Sequence, residues 1–269
     1  MARRGYRDAF KSTARYYARF RPGYPDALID LLREKFSLDG TGRLLDLGCG
    51  TGQLAIPLAP YIEEVVAMDP EPEMLAEAEF IARARGTENI LWVEGGSDDL
   101  QDFRGRLGIF RLVTMGSSFH WMDREATLRT LYDMVVPGGG VAIVGSSGSD
   151  SRWTPEESPA VMDAVIKRWL GEARRAGSGT YEPPKKRHEE IVRRSPFHPM
   201  EIHTVSQSVE WDVEGLVGSL CSTSYASPYV LGHKREGFEA DLRVALAGLR
   251  PSGGCVQEMA IHAILAWRP

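Results

Sequence analysis

Short, nearly continuous apolar runs alternate with longer segments of helical spacing through the first half of this 269-residue chain. The runs at 43–47, 64–69, 90–93, 110–115 and 141–144 read as strands buried on both faces. Between them, 52–60, 71–85 and 123–134 read as helices, the second ended by Gly86. This alternation predicts a parallel sheet with helices on both faces, and right-handed crossovers put the turns after each strand at its carboxyl edge. Upstream, 7–20 reads as a short helix with Phe10, Tyr16, Tyr17 and Phe20, broken at Arg21-Pro22-Gly23-Tyr24-Pro25. A second helix follows, capped by Asp26. Downstream, 146–200 is rich in serine, proline and charge around an apolar helix at about 156–171. Alternation returns at 202–211 and 256–267, with helices at 213–221 and 234–248 between them. Four parts are expected: a cover at 1–40, a core at 41–146, an insertion at 147–200 after the fifth strand, and a C-terminal part at 201–269.

Apolar content of 43% and charged content of 26% are those of a globular protein. No run reaches the roughly 18 to 20 apolar residues of a membrane helix, and no apolar region follows the basic start, so neither a membrane span nor a secretory signal is expected. Cys49, Cys221 and Cys255 are too few and too far apart for a disulfide framework or a zinc site, which favours a reducing cytoplasm and no metal. A net charge of −5 argues against a nucleic-acid partner.

The chemistry concentrates at Leu44-Leu45-Asp46-Leu47-Gly48-Cys49-Gly50-Thr51-Gly52-Gln53, a strand running into a glycine turn. Asp69 closes the next strand, where its carboxylate suits the hydroxyls of a ribose. Glycines let a backbone approach such a ligand closely. A dinucleotide fingerprint needs glycine at 53, where this chain has Gln53. Asp69 has a competing role as a helix cap before Pro70. A second signal, Met115-Gly116-Ser117-Ser118-Phe119-His120-Trp121, leaves the fourth strand at the same edge. His120 suits a general base or a helix cap, and Trp121 a cation–π wall or a packing anchor. The run Lys185-Lys186-Arg187-His188 reads as a solvated face, and His198, His203, His233 and His262 as structural or exposed.

The glycine spacing resembles motif I of the class I S-adenosylmethionine-dependent methyltransferases. With Tyr16 to Pro25, Val65 to Leu75, Phe119-His120-Trp121, Val136 to Gly140 and Ser222 to Tyr225, the chain is similar to their trans-aconitate methyltransferase-like (type 11) group. The resemblance implies an α/β, Rossmann-like, seven-stranded, mostly parallel sheet with an antiparallel terminal pair, and S-adenosylmethionine as cofactor. Cofactor contacts then fall to Tyr16, Arg21, Asp46, Gly48, Gly50 and Gln53 before or within the turn, with Asp46 a counter-charge to the cofactor's amino group. They continue at Asp69, Pro70 and Met74, at Ser97 and Asp98 after the third strand, and at Met115 and Gly116 after the fourth. Tyr17, Phe119, His120, Trp121 and Tyr225 become acceptor contacts, with His120 the candidate catalytic residue. Arg111 departs from the group, which usually carries aspartate in that strand. The group acts on acids, amines, phenols and carbon centres, so the acceptor is expected to be a small molecule of open identity. The rival readings are a nucleic-acid methyltransferase, a nicotinamide-dependent oxidoreductase and a silent cofactor-binding protein.

Overall fold

The computed structural model describes residues 6–146, 151–154, 156–182, 184–248 and 255–269; residues 1–5 of the expected cover and 147–150 of the expected insertion lie outside them. Four parallel strands lead: β1 (Arg43–Leu47), β2 (Glu64–Asp69), β3 (Ile90–Glu94) and β4 (Phe110–Gly116). They are joined by β5 (Val135–Ser146), β6 (Arg152–Thr154), the small hairpin β7 (Arg175–Ala176) and β8 (Gly179–Thr180), β9 (Met200–Trp211) and β10 (Cys255–Trp267). The main sheet runs β3-β2-β1-β4-β5-β10-β6, with β9 also on β10.

Side chains alternate across each strand, which divides the core into two layers. Leu45, Leu47, Val66 and Val113 pack with Leu100, Leu107, Leu128 and Leu131 on one face. Those partners belong to α5 (Leu100–Leu107) and α6 (Arg124–Tyr132). Leu44, Val65, Ala67 and Leu112 meet Leu28, Leu32, Ala55 and Leu58 on the other. The helices are α1 (Ala14–Phe20), α2 (Asp26–Lys35), α3 (Ala55–Leu58), α4 (Pro72–Ala84), α5 and α6, then α7 (Ser158–Leu170), α8 (His188–Arg193), α9 (Val213–Cys221), α10 (Pro228–Leu231) and α11 (Arg235–Ala247).

Among the described residues the sheet has eight strands where seven are expected. β10 is longer than its neighbour can cover: β5 pairs only Ile261 to Trp267, and β6 takes Val256 to Glu258. The helix expected over 52–60 shrinks to α3 and a 3₁₀ turn at Ala59–Tyr61. Pro57 and Pro60 remove the backbone donors a longer helix needs. The run Pro137 to Gly140 is not a turn before β5 but a bulge inside it. Between the Phe110–Val135 and Leu112–Gly140 pairs, the register of β4 and β5 shifts.

Met162, Val165 and Ile166 of α7 share a third core with Leu216 of α9, Phe238 and Leu242 of α11, and Trp211 of β9. Among the described residues no helix is long and apolar enough to cross a membrane.

Candidate functional site

A cleft lies at the carboxyl ends of β1, β2 and β4, lined by Leu47, Gly48, Gly50, Asp69, Gly116 and Trp121 among others. The turn after β1 is anchored to β2, because Gly48 and Cys49 both donate their N–H groups to the Met68 carbonyl at 2.8 and 3.0 Å. Gly48 has φ of +74°, a left-handed conformation that favours glycine. A Cβ there would also lie 2.5 Å from the Ser118 Cβ. Ser118 is fixed in turn, since its hydroxyl donates to the Leu47 carbonyl at 2.7 Å.

Asp69 is tied into the same turn. One carboxylate oxygen accepts the Gly50 N–H and the other the Glu71 N–H, both at 2.9 Å. Burial raises its pKa to about 6 against these bonds. The cap of α4 is not Asp69 but Glu71, whose side chain accepts from the Glu73 N–H. Each Asp69 oxygen uses one lone pair on the backbone, which leaves further acceptor positions for hydroxyl donors.

The loop after β3 adds Gly96, Ser97 and Asp98 to the cleft. Asp99 steadies that loop by accepting the Gly96 N–H at 2.8 Å, and Arg7 pairs with Asp99 at 2.7 Å. Arg7 belongs to a strap that crosses the cleft. The Tyr6 and Phe10 rings meet Trp121 with centroids 5.1 and 5.6 Å apart. With this strap in place the cleft encloses about 120 Å³.

Several expected contacts lie elsewhere. Asp46 points to the α3 face, as does Leu44 two residues earlier, and does not line the cleft. Its oxygens accept the Ala55 N–H at 3.1 Å and the Thr114 hydroxyl at 2.7 Å. It therefore braces α3 against β4. Tyr16 and Tyr17 are adjacent on α1 and diverge by about 100°. Tyr17 lines the cleft, whereas the Tyr16 hydroxyl accepts from Arg235 in the C-terminal helical layer. Arg21 lies with its guanidinium 5.4 Å from the Tyr17 ring centre and borders a separate hollow. Gln53 lies outside the cleft lining, and Met115 is fully buried in the core. Tyr225 sits under the Arg174 guanidinium at 4.8 Å. Pro70, Met74 and Gly116 do line the cleft.

Sequence reasoning missed the strap residues Tyr6, Arg7 and Phe10, although aromatics among arginines were visible there. It also passed over Glu71, Ser117, Ser118 and Met122 as lining. Ser117 holds φ of +50°, which no local residue preference announces.

Burial raises the Asp46 pKa to about 7, well above the 3.8 of a free carboxyl. The folded state then holds this proton more tightly than the unfolded one. Its contribution to stability is fullest below about pH 4 and is lost as pH rises to about 7. Asp46→Asn is expected to remove that slope, its amide oxygen accepting the Ala55 N–H while its NH2 donates to the Thr114 hydroxyl, which reverses that bond. Asp46→Ala leaves the Ala55 N–H and Thr114 hydroxyl unpaired and costs about 3 kcal/mol. Urea denaturation across that pH range checks both; an unchanged slope in Asp46→Asn contradicts the assignment.

Beyond Ser117 and Ser118, which line both spaces, a second cavity of about 520 Å³ opens. His120, Tyr181, Lys186 and His188 line it, with Ile143, Val144 and Ile264 as apolar wall. The His120 ring lies 4.9 Å from that of Trp121 and 6.2 Å from that of Tyr181. The helix cap nearby is Asp123, which accepts the Ala126 N–H at 3.1 Å. Phe119 is buried, with its ring 5.1 Å from His188. Burial and the neighbouring Arg124 lower the His188 pKa. Its Nδ1 lies 3.1 Å from Arg124 Nη1, so Arg124 donates there and Nε2 carries the proton of the neutral ring.

Residues 44–139 match the family described as a methyltransferase domain, and S-adenosylmethionine is that family's cofactor. An uncharacterized methyltransferase-like protein of Schizosaccharomyces pombe is 28% identical over 53% of this chain and 53% of its own length. A candidate S-adenosylmethionine-dependent methyltransferase of Saccharomyces cerevisiae is 28% identical over 47% of this chain and 43% of its own. The chain thus matches about half the length of these relatives. An uncharacterized methyltransferase of Mycobacterium tuberculosis is 25% identical over 83% of this chain and 80% of its own. Among solved structures, a candidate type II methyltransferase from Anaeromyxobacter dehalogenans shares the fold with a TM-score of 0.59 at 23% identity, covering 91% of this chain and 97% of that one.

Proposed function

We propose that this chain, whose residues 44–139 belong to the methyltransferase-domain family, moves a methyl group from S-adenosylmethionine to a small-molecule acceptor. The observation that carries this reading is the wall at Ser117 and Ser118, with a glycine-turn cleft on one side and a cavity of about 520 Å³ on the other. That volume falls within the range of small-molecule sites. The core at 41–146 then holds the donor, and the segment around 181–189 closes the acceptor side.

S-adenosylmethionine, when bound, supplies a methyl carbon already activated by its sulfonium. The protein's share is positioning and exclusion of water. The backbone at Gly48 and Gly50 borders the donor, and Asp69 accepts hydrogen bonds from its ribose hydroxyls. Trp121, with Tyr6 and Phe10 against it, covers the cleft and offers an aromatic face to a cationic sulfur. His120, on the cavity wall, takes the proton of an acceptor that still carries one; a carboxylate acceptor requires no base.

The reading is tested by incubating the protein with methyl-tritiated S-adenosylmethionine and a cell extract, then separating an ultrafiltrate from precipitated nucleic acid. Label is expected in the ultrafiltrate. Label confined to the nucleic acid contradicts a small-molecule acceptor.

A further inference from the structure

The run Lys185 to His188 reads in sequence as a solvated face; Lys185, Lys186 and Arg187 are indeed exposed, and Lys186, Arg187 and His188 also border the second cavity. The charge around that cavity opposes the charge of the whole molecule. The cavity and the adjoining surface hollow are lined by Lys186, Arg187, Arg129 and Arg194, against the carboxylates Glu189 and Glu125. Four fixed cations thus face two fixed anions, in a chain of net charge −5.

The carboxylates do not saturate these cations. Lys186 meets Glu125 at 3.1 Å with both side chains about half exposed, and such pairs contribute little. Arg187 lies 4.0 Å from Glu189, too far for a hydrogen bond, and its side chain is 83% exposed. Arg124 adds a positive charge behind the wall, donating to the Lys186 carbonyl at 2.9 Å and holding the loop in place. Away from this lip an apolar wall of Ile143, Val144 and Ile264, beside the rings of Phe119 and Tyr181, alternates with the polar Ser117, Ser118, Ser146, His120 and His262.

We propose that this cavity binds an acceptor with an apolar body and an anionic group. The anion is held at the Lys186–Arg187 lip, and the atom to be methylated lies at the Ser117–Ser118 wall. The anion is a recognition handle, distinct from the methylated atom. A carboxylate and a phosphate share this chemistry. The acceptor role rests on the methyltransferase reading; anion selectivity of the cavity does not.

The test titrates phenylacetate, phenylphosphonate and neutral phenylacetamide into the full chain by ligand-observed NMR. S-adenosylhomocysteine affinity is measured separately by calorimetry. On the unaltered protein at least one of the two anions is expected to bind about tenfold more tightly than the amide, the effect of one charge-assisted hydrogen bond. The stronger of the two anions identifies carboxylate or phosphate as the preferred handle. The exposed double variant Lys186→Ala/Arg187→Ala is expected to lose this preference and keep its S-adenosylhomocysteine affinity. Lys186→Glu/Arg187→Glu reverses it. Equal binding of acids and amide, or a preference that survives in the alanine variant, overturns the proposal. Failure of S-adenosylhomocysteine to bind while the anion preference holds overturns the methyltransferase reading instead.

Discussion

Gly48→Val is expected to eliminate measurable S-adenosylhomocysteine binding and to destabilise the fold by about 3 kcal/mol or more. Two costs coincide at this position. A β-branched residue at φ of +74° is strained whatever space surrounds it. The added Cβ would also lie 2.5 Å from the Ser118 Cβ and 2.9 Å from its Oγ. Ser118 cannot rotate away cheaply, because its hydroxyl satisfies the buried Leu47 carbonyl at 2.7 Å. Gly50→Ala supplies the contrast. Its φ is +54°, but a Cβ there meets nothing nearer than the Tyr17 ring at 3.6 Å. It is expected to cost about 1 kcal/mol, the backbone strain alone. Urea denaturation of the two variants checks the ordering, and equal costs contradict the close approach of the turn to Ser118.

Asp69→Ala is expected to weaken S-adenosylhomocysteine binding about 100-fold or more. The carboxylate accepts the Gly50 and Glu71 N–H groups, so its loss unties Gly50 from β2, although Gly48 and Cys49 stay bonded to Met68, and on the proposed reading removes the acceptor for ribose hydroxyls. Hydrogen bonds to a charged group contribute about 1.5–3 kcal/mol each, and two such bonds to the ligand account for that factor. Affinity is also expected to fall below about pH 6, where the buried carboxyl protonates and its acceptor capacity drops. Asp69→Asn retains one acceptor oxygen and is expected to fall between the wild type and alanine.

Much of this geometry was legible in the chain because local and long-range signals agreed. The strand bounds 43–47 and 64–69 coincide with β1 and β2, whose apolar runs are closed by polar or glycine residues. The helix at 213–221 coincides with α9, capped by Asp212 accepting the Gly215 N–H at 2.6 Å. What escaped depends on neighbours distant in sequence. β6 is three residues long and exists because β10 outruns β5. Neither Tyr16 nor Tyr17 carries a mark of which faces the cleft; Arg235, over 200 residues away, holds the first. Asp46 beside the glycines suggested a ligand contact, while strand alternation directs it to α3 and Thr114. The basic run is exposed at Lys185, Lys186 and Arg187, as expected, but nothing local to it announces the cavity it borders.

The central claim is that the glycine-turn cleft with Asp69 is an S-adenosylmethionine site, and the measurement closest to it is calorimetric titration of the wild type and Asp69→Ala with S-adenosylhomocysteine and with NAD. The account predicts one S-adenosylhomocysteine bound per chain, about 100-fold weaker binding in the variant, and no binding of NAD by either. Binding of NAD alone, or S-adenosylhomocysteine affinity unchanged by the substitution, would contradict it.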